Sequence, residues 1–183
     1  MTSKPSRSHR EPPADITKRN PAAPAGKLAV YTYSSTTVGT ERKLNIYTPP
    51  GYTKDKKYPV LYLLHGIGGD ETEWQRFATV DVLLDNLIQA GKVKDVIIVM
   101  PNGRAQKNDK AEGNVFAAAP SFAVFEKDLI TDVIPFIEKT FSVLPGRENR
   151  SIAGLSMGGG QTLNFGFGHT DLFSSIGAFS AAP

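Results

Sequence analysis

The sequence predicts a three-layer α/β sandwich, a mostly parallel sheet covered by helices on both faces, and three observations carry that prediction. First, residues 60–64 (Val-Leu-Tyr-Leu-Leu) and 96–100 (Val-Ile-Ile-Val-Met) are short, unbroken apolar runs. Strands buried on both faces read this way, whereas half-exposed strands alternate. Second, a segment of helical spacing lies between the runs and another follows them, so successive strands return in parallel through crossovers. Third, a further run at 150–154 ends in Gly154-Leu155-Ser156-Met157-Gly158, a Gly-x-Ser-x-Gly turn between a strand and a helix.

The elements follow in order. Residues 1–27 are rich in Pro, Ser, Ala and Arg, with prolines at 5, 12, 13, 21 and 24. Such a stretch has too little apolar surface to order itself and lacks the apolar core of a signal peptide. It reads as a disordered linker or tail ahead of a domain over 28–183. Residues 28–35 and 43–48 alternate apolar and polar side chains around Val38-Gly39-Thr40 and read as an antiparallel pair. Beyond the strand at 60–64, Val82, Leu83, Leu87 and Ile88 place a helix over 79–90, stopped by Gly91. The strand at 96–100 closes at Pro101-Asn102-Gly103. Residues 104–121 form a long loop with little periodicity, and such loops in compact domains often carry function. A helix over 122–141 sets Phe125, Leu129, Val133, Phe136 and Ile137 on one side, and Pro135 is expected to kink it. A strand at 150–154, a helix at 161–168 and a strand at 174–180 follow.

Charge and composition exclude several classes. Residues 1–27 hold six Lys or Arg against two acids, while residues 28–183 hold fifteen against sixteen. The sequence pI of about 9.1 therefore belongs to the tail, and the sandwich lacks the basic footprint of a nucleic-acid binder. With no cysteine, disulfides and thiolate metal sites are ruled out. No run reaches the ~18 apolar residues of a membrane span. Neither a cluster of metal ligands nor a phosphate-cradling glycine loop with its lysine is visible, so no metal and no cofactor are expected.

The chemistry centres on the Gly-x-Ser-x-Gly turn. A serine at so sharp a bend sits in strained backbone, and the residues two before and two after it must be nearly without side chain. Gly154 and Gly158 meet that need. The bend lifts the hydroxyl above the sheet, and the next helix aims its N-terminal N–H groups at the same spot. Ser156 is the candidate nucleophile. The strand at 60–64 runs directly into His65-Gly66-Ile67-Gly68-Gly69, a loop placed to supply one oxyanion N–H while the residue after the serine supplies the other.

From this loop through the serine turn, the chain resembles the esterase branch of the α/β-hydrolases. More narrowly, it is similar to the carbohydrate esterase family 1 feruloyl esterases, including the esterase domains attached to bacterial xylanases. The resemblance rests on Tyr62 to Gly69, Trp74, Met100-Pro101-Asn102, Asp128-Leu129, Ile134 to Glu138, and residues 153–160, and covers about residues 28–183. It implies an α/β-hydrolase sandwich lacking its last strands and helix, and hydrolysis of an ester joining a hydroxycinnamate such as ferulate to arabinoxylan. A secreted enzyme is implied, with a cytoplasmic one as the alternative. In that reading Ser156 attacks the ester, the N–H groups of Ile67 and Met157 hold the oxyanion, and His65 is structural. Other carboxylesterases, acetyl-xylan esterases, acyltransferases of the same fold and a non-catalytic fragment remain open.

The acid and the histidine of this family follow the serine by many tens of residues, whereas the chain runs 27 residues past Ser156. Both triad partners are therefore expected outside it. His9 lies in the tail. His169, with Asp171 nearby, falls near the far end of the following helix, roughly 18–20 Å from Ser156 at about 1.5 Å per residue. It reads as a helix terminus, out of reach of a hydroxyl proton. Trp74 reads either as a border of the substrate pocket or as a packing residue. Asn102 follows the C-terminal end of a strand, where α/β sheets bind ligands, and is otherwise a turn residue. Phe116 and Phe122 line an acyl pocket or, on the usual burial of phenylalanine, the core. Arg104, Lys107 and Lys110 read as a solvated loop face.

Overall fold

A computed structural model describes residues 14–182. Its strands are β1 (Lys27–Ser35), β2 (Thr40–Thr48), β3 (Val60–Leu64), β4 (Ile97–Pro101), β5 (Arg150–Leu155) and β6 (Ser175–Phe179). They form one sheet in the order β1-β2-β4-β3-β5-β6. β1 and β2 are antiparallel, as is the β2–β4 pair, and β4, β3, β5 and β6 run parallel. The unbroken apolar runs occupy the middle of the sheet, where both faces are covered.

Alternation along β3 sorts its side chains between two cores. Tyr62 and Leu64 join Val99, Ile152, Phe125, Leu129, Val133, Ile137 and Phe165 on one face. Leu63 joins Ile98, Met100, Val80 and Leu84 on the other. The helices that cover these faces are α2 (Glu73–Ala78), α3 (Val80–Gln89), α4 (Ala119–Asp128), α5 (Ile134–Thr140) and α6 (Met157–Gly168). α2 was not foreseen from the sequence.

The helix expected over 122–141 is continuous from 119 to 140 but contains a π turn at Leu129–Val133, where the Ile134 N–H bonds to the Leu129 carbonyl. Pro135 follows directly and has no N–H to give the ladder. The wide turn has a packing consequence. Four-residue steps in an α-helix drift about 40° each, since each residue advances about 100°. The wider π turn takes back part of that drift. Phe125, Leu129, Val133 and Ile137 thus all stay fully buried against the sheet.

Residues 14–26 depart from the disorder expected for residues 1–27, whose first thirteen lie outside the described residues. The short α1 (Ala14–Thr17) and the segment after it lie on α3. Arg19 pairs with Asp81 and Asp85 at 2.9 and 3.0 Å. The Gly26 N–H donates to Asp85, and Asn86 holds the carbonyls of Ile16 and Lys18. Asp85 and Asn86 are buried polar groups that need partners, and this backbone supplies them without a large apolar surface.

A second buried polar cluster ties the β1–β2 pair to α4. Asp128 accepts hydrogen bonds from the hydroxyls of Tyr33 (2.6 Å) and Ser35 (2.5 Å) and pairs with Arg42. The other end of the Arg42 guanidinium donates to the carbonyls of Asn102 (2.7 Å) and Arg104 (2.9 Å). The loop after β4 is therefore anchored from beneath.

Candidate active site

Ser156 occupies the turn between β5 and α6 with φ 54° and ψ −116°, a region that suits glycine. Close packing holds it there. A Cβ on Gly154 would come within 2.3 Å of the Gly158 carbonyl oxygen, and one on Gly158 within 2.5 Å of the His65 carbonyl oxygen. The Ser156 N–H donates to the Phe179 carbonyl and its own carbonyl accepts from Ala182, both at 2.9 Å. Among the described residues, none hydrogen-bonds the Ser156 hydroxyl.

Gly158, Gly159 and Gly160 lie inside α6, which starts at Met157, earlier than the expected 161. They are small because neighbours press on them. A Cβ on Gly159 would approach the Ala181 Cα to 2.9 Å, and one on Gly160 the Ala182 carbonyl oxygen to 2.2 Å. The helix thus begins directly at the serine, so its positive end lies at the hydroxyl, while the Gly158 N–H is taken by the His65 carbonyl at 3.1 Å.

The loop after β3 comes against this turn, since a Cβ on Gly66 would be 3.8 Å from the Ser156 Cβ. His65 is 1% exposed, and both its ring nitrogens are committed. Nε2 accepts from the Gly103 N–H at 2.8 Å, so Nδ1 carries the proton and donates to the Gly66 carbonyl at 2.6 Å. Burial holds its pKa below the ordinary histidine value. This neutral, fully engaged imidazole cannot serve as a base. His169 is the C-cap of α6 and lies 2.8 Å from the Glu126 carboxylate. Twelve helical residues separate it from Ser156, about 18 Å of axis.

Ile67 lies in the His65 loop and Met157 is the first residue of α6. Among the described residues, no acceptor engages the N–H of either. Trp74 donates from Nε1 to the Leu64 carbonyl at 3.1 Å and meets the Phe179 ring edge-on. It also borders a cavity of about 360 Å³, lined by Ser156, Leu155, Gly66, Ile67, Gly68, Glu73, Phe77 and Ala78. Glu73, which the sequence did not single out, accepts from the Gly66 N–H at 2.8 Å.

The loop after β4 differs most from expectation. Asn102 does not line the serine's cavity. It is buried, its Oδ1 accepts from the Arg104 N–H and its Nδ2 donates to the Asp109 carbonyl at 3.0 Å. Its amide is spent on holding the loop. Arg104, read as solvated, is 1% exposed and donates to the carbonyls of Ile67 (2.7 Å) and Asp109 (2.8 Å). Nothing in its polar neighbours announces this, because its acceptors are backbone carbonyls. Lys107 and Lys110 are exposed, as expected. Phe116 is 71% exposed and so not in the core, and Phe122 lies half-buried beneath the Arg104 guanidinium.

Comparison with known proteins matches residues 35–183 to the family model described as "Putative esterase". An endo-1,4-beta-xylanase/feruloyl esterase of Xylanibacter ruminicola is 38% identical over 162 residues, 85% of this chain and 22% of that protein. The ferulic acid esterase of Anaeromyces mucronatus superposes with a TM-score of 0.85 at 32% identity, over 93% of this chain and 65% of that one. It has also been solved in complex with ferulic acid. The feruloyl esterase module from Clostridium thermocellum, an S954A mutant complexed with sinapinate, gives a TM-score of 0.72 at 27% identity. It is matched over 90% of this chain and 56% of its own. The chain thus spans about a fifth of the xylanase relative and between half and two thirds of these solved esterases.

Proposed function

The chain belongs to the putative-esterase family, and from that premise we propose that it is the serine-bearing part of a feruloyl esterase. One observation carries the reading. Ser156 sits strained at the head of α6, its hydroxyl unbonded among the described residues, beside the equally unengaged N–H groups of Ile67 and Met157.

The mechanism follows from that arrangement. The Ser156 oxygen attacks the ester carbonyl carbon while a base takes the hydroxyl proton. The carbonyl oxygen becomes an oxyanion held by the Ile67 and Met157 N–H groups and by the positive end of α6. Collapse expels the sugar alcohol, which receives the proton, and leaves the hydroxycinnamoyl group on Ser156. Water, activated by the same base, then releases the acid. The base and its orienting carboxylate lie outside the described residues, because His65 is engaged at both nitrogens and His169 is at the wrong end of α6. We assign them to the part of the fold that the solved relatives have beyond the match.

The cavity beside Ser156 suits an aromatic acyl group, with Trp74, Phe77, Ile67 and Leu155 along its walls. The esterases bound to ferulic acid and sinapinate support that assignment, and the endo-1,4-beta-xylanase/feruloyl esterase relative supports a feruloyl ester on a xylan as the substrate. Among the described residues, no helix is long and apolar enough to cross a membrane. Hydrolysis of methyl ferulate by the protein that carries this chain, with Ser156→Ala beside it, tests the proposal. Loss of turnover by at least about 10⁴-fold is expected. Retained turnover in the variant overturns it.

A further inference from the structure

Resting on that reading of Ser156, we propose that Arg104 is a positioning residue that sets the oxyanion hole by gripping the backbone of the His65 loop. An oxyanion N–H is useful only if its peptide plane is fixed before the charge develops. The Ile67 N–H lies in the plane it shares with the Gly66 carbonyl, and the Ile67 φ and ψ couple that plane to the next one, which carries the Ile67 carbonyl. In a trans peptide the carbonyl and the N–H point opposite ways. Holding one therefore aims the other.

The plane before Ile67 is held through its carbonyl, because Gly66 O accepts the His65 Nδ1 proton at 2.6 Å. The plane after it is held by Arg104, whose Nη2 donates to the Ile67 carbonyl at 2.7 Å. Both terminal nitrogens of Arg104 also reach the Gly69 carbonyl at 3.4 Å. The guanidinium fork thus spans the turn that follows the oxyanion residue.

The arginine is itself fixed. Its ring partner Phe122 lies 5.7 Å from the guanidinium carbon, its Nη1 donates to the Asp109 carbonyl, and its own carbonyl is held by Arg42. A lysine would offer these carbonyls a compact, mobile ammonium in place of the rigid planar fork. Arg104 does not itself line the cavity and meets its wall through the Ile67 carbonyl, so its effect on chemistry passes through the Ile67 peptides.

The test compares Arg104→Ala and Arg104→Lys with wild type in the protein that carries this chain. Methyl ferulate kinetics are read as kcat and KM separately. Binding of phenylboronic acid, a tetrahedral mimic that places an anionic oxygen in the hole, is read against binding of ferulate. For Arg104→Ala we expect kcat to fall about 10²-fold or more with KM within about threefold, the pattern of a lost oxyanion donor. Boronate binding should weaken in parallel and ferulate binding should not. Added guanidinium should restore part of kcat, and Arg104→Lys should fall between.

A kcat within threefold of wild type in a folded variant overturns the proposal, as does equal weakening of boronate and ferulate. If Arg104→Ala does not fold, Arg104→Lys is read by the same two criteria. Turnover surviving Ser156→Ala sinks the nucleophile reading instead. A dead serine variant beside an unimpaired Arg104 variant sinks only this one.

Discussion

The strain at Ser156 can be measured by comparing two substitutions that remove the same hydroxyl. Ser156→Ala keeps the Cβ and hence the penalty of φ 54° and ψ −116°, which is about 1–3 kcal/mol for a residue held in a sparsely populated region. Ser156→Gly relieves that strain but makes the unfolded chain freer, which costs about 0.4–1 kcal/mol. No capping bond is lost in either case, because the Ser156 side chain caps nothing in α6. The difference leaves the glycine variant more stable by roughly 0.5–2 kcal/mol. For a chain of this size that raises Tm by roughly 2–6 °C. Thermal and urea unfolding of the two purified variants, followed by circular dichroism, gives the comparison. A glycine variant melting at or below the alanine variant would refute the argument that the turn stores strain.

Two further outcomes are expected. Asp128→Ala should destabilise by about 3–5 kcal/mol in urea titrations, because it leaves the buried Arg42 with only the more distant, partly exposed Asp109 carboxylate at 3.7 Å; a loss below about 1 kcal/mol would show that the pair is dispensable. His65 should make stability fall on mild acidification. Its folded pKa lies below the unfolded value of 6.5, so under acid the unfolded chain binds the extra proton. Its contribution is therefore complete above about pH 6.5 and is lost as pH falls toward the folded pKa, with a slope of up to about 1.4 kcal/mol per pH unit. Urea midpoints between about pH 7 and pH 5 check this, and a slope unchanged in His65→Gln would remove His65 as the cause.

What was legible in the sequence was local. The strands announce themselves because burial on both faces demands unbroken apolar runs, and the serine turn because only glycine tolerates its contacts. Pro135 signals that the helix ladder must change but not that a π turn absorbs the change. Arg104 was misread because a buried arginine and a solvated one look alike in sequence; only the folded backbone shows carbonyls converging on it. Asn102 fitted both a ligand position and a turn residue in the sequence, and the structure shows its amide bracing the loop. Phe116 was expected inside on composition, yet its short 3-10 turn leaves it outside. The segment at 14–26 has polar rather than apolar reasons to dock, which a hydrophobicity argument cannot see.

The serine turn is also a matter of timing. Its backbone is closed by Phe179 and Ala182, and its glycines are pressed by Leu64, His65 and Ala181. These contacts come from two stretches, 64–65 and 179–182, on either side of the turn in the chain, so no short segment can hold the serine in its raised geometry. A growing chain on the ribosome makes Leu64 and His65 before Ser156 but Phe179 to Ala182 after it, so the turn cannot close until that later stretch has emerged. A chain in which that stretch has not yet docked carries an ordinary, unstrained serine.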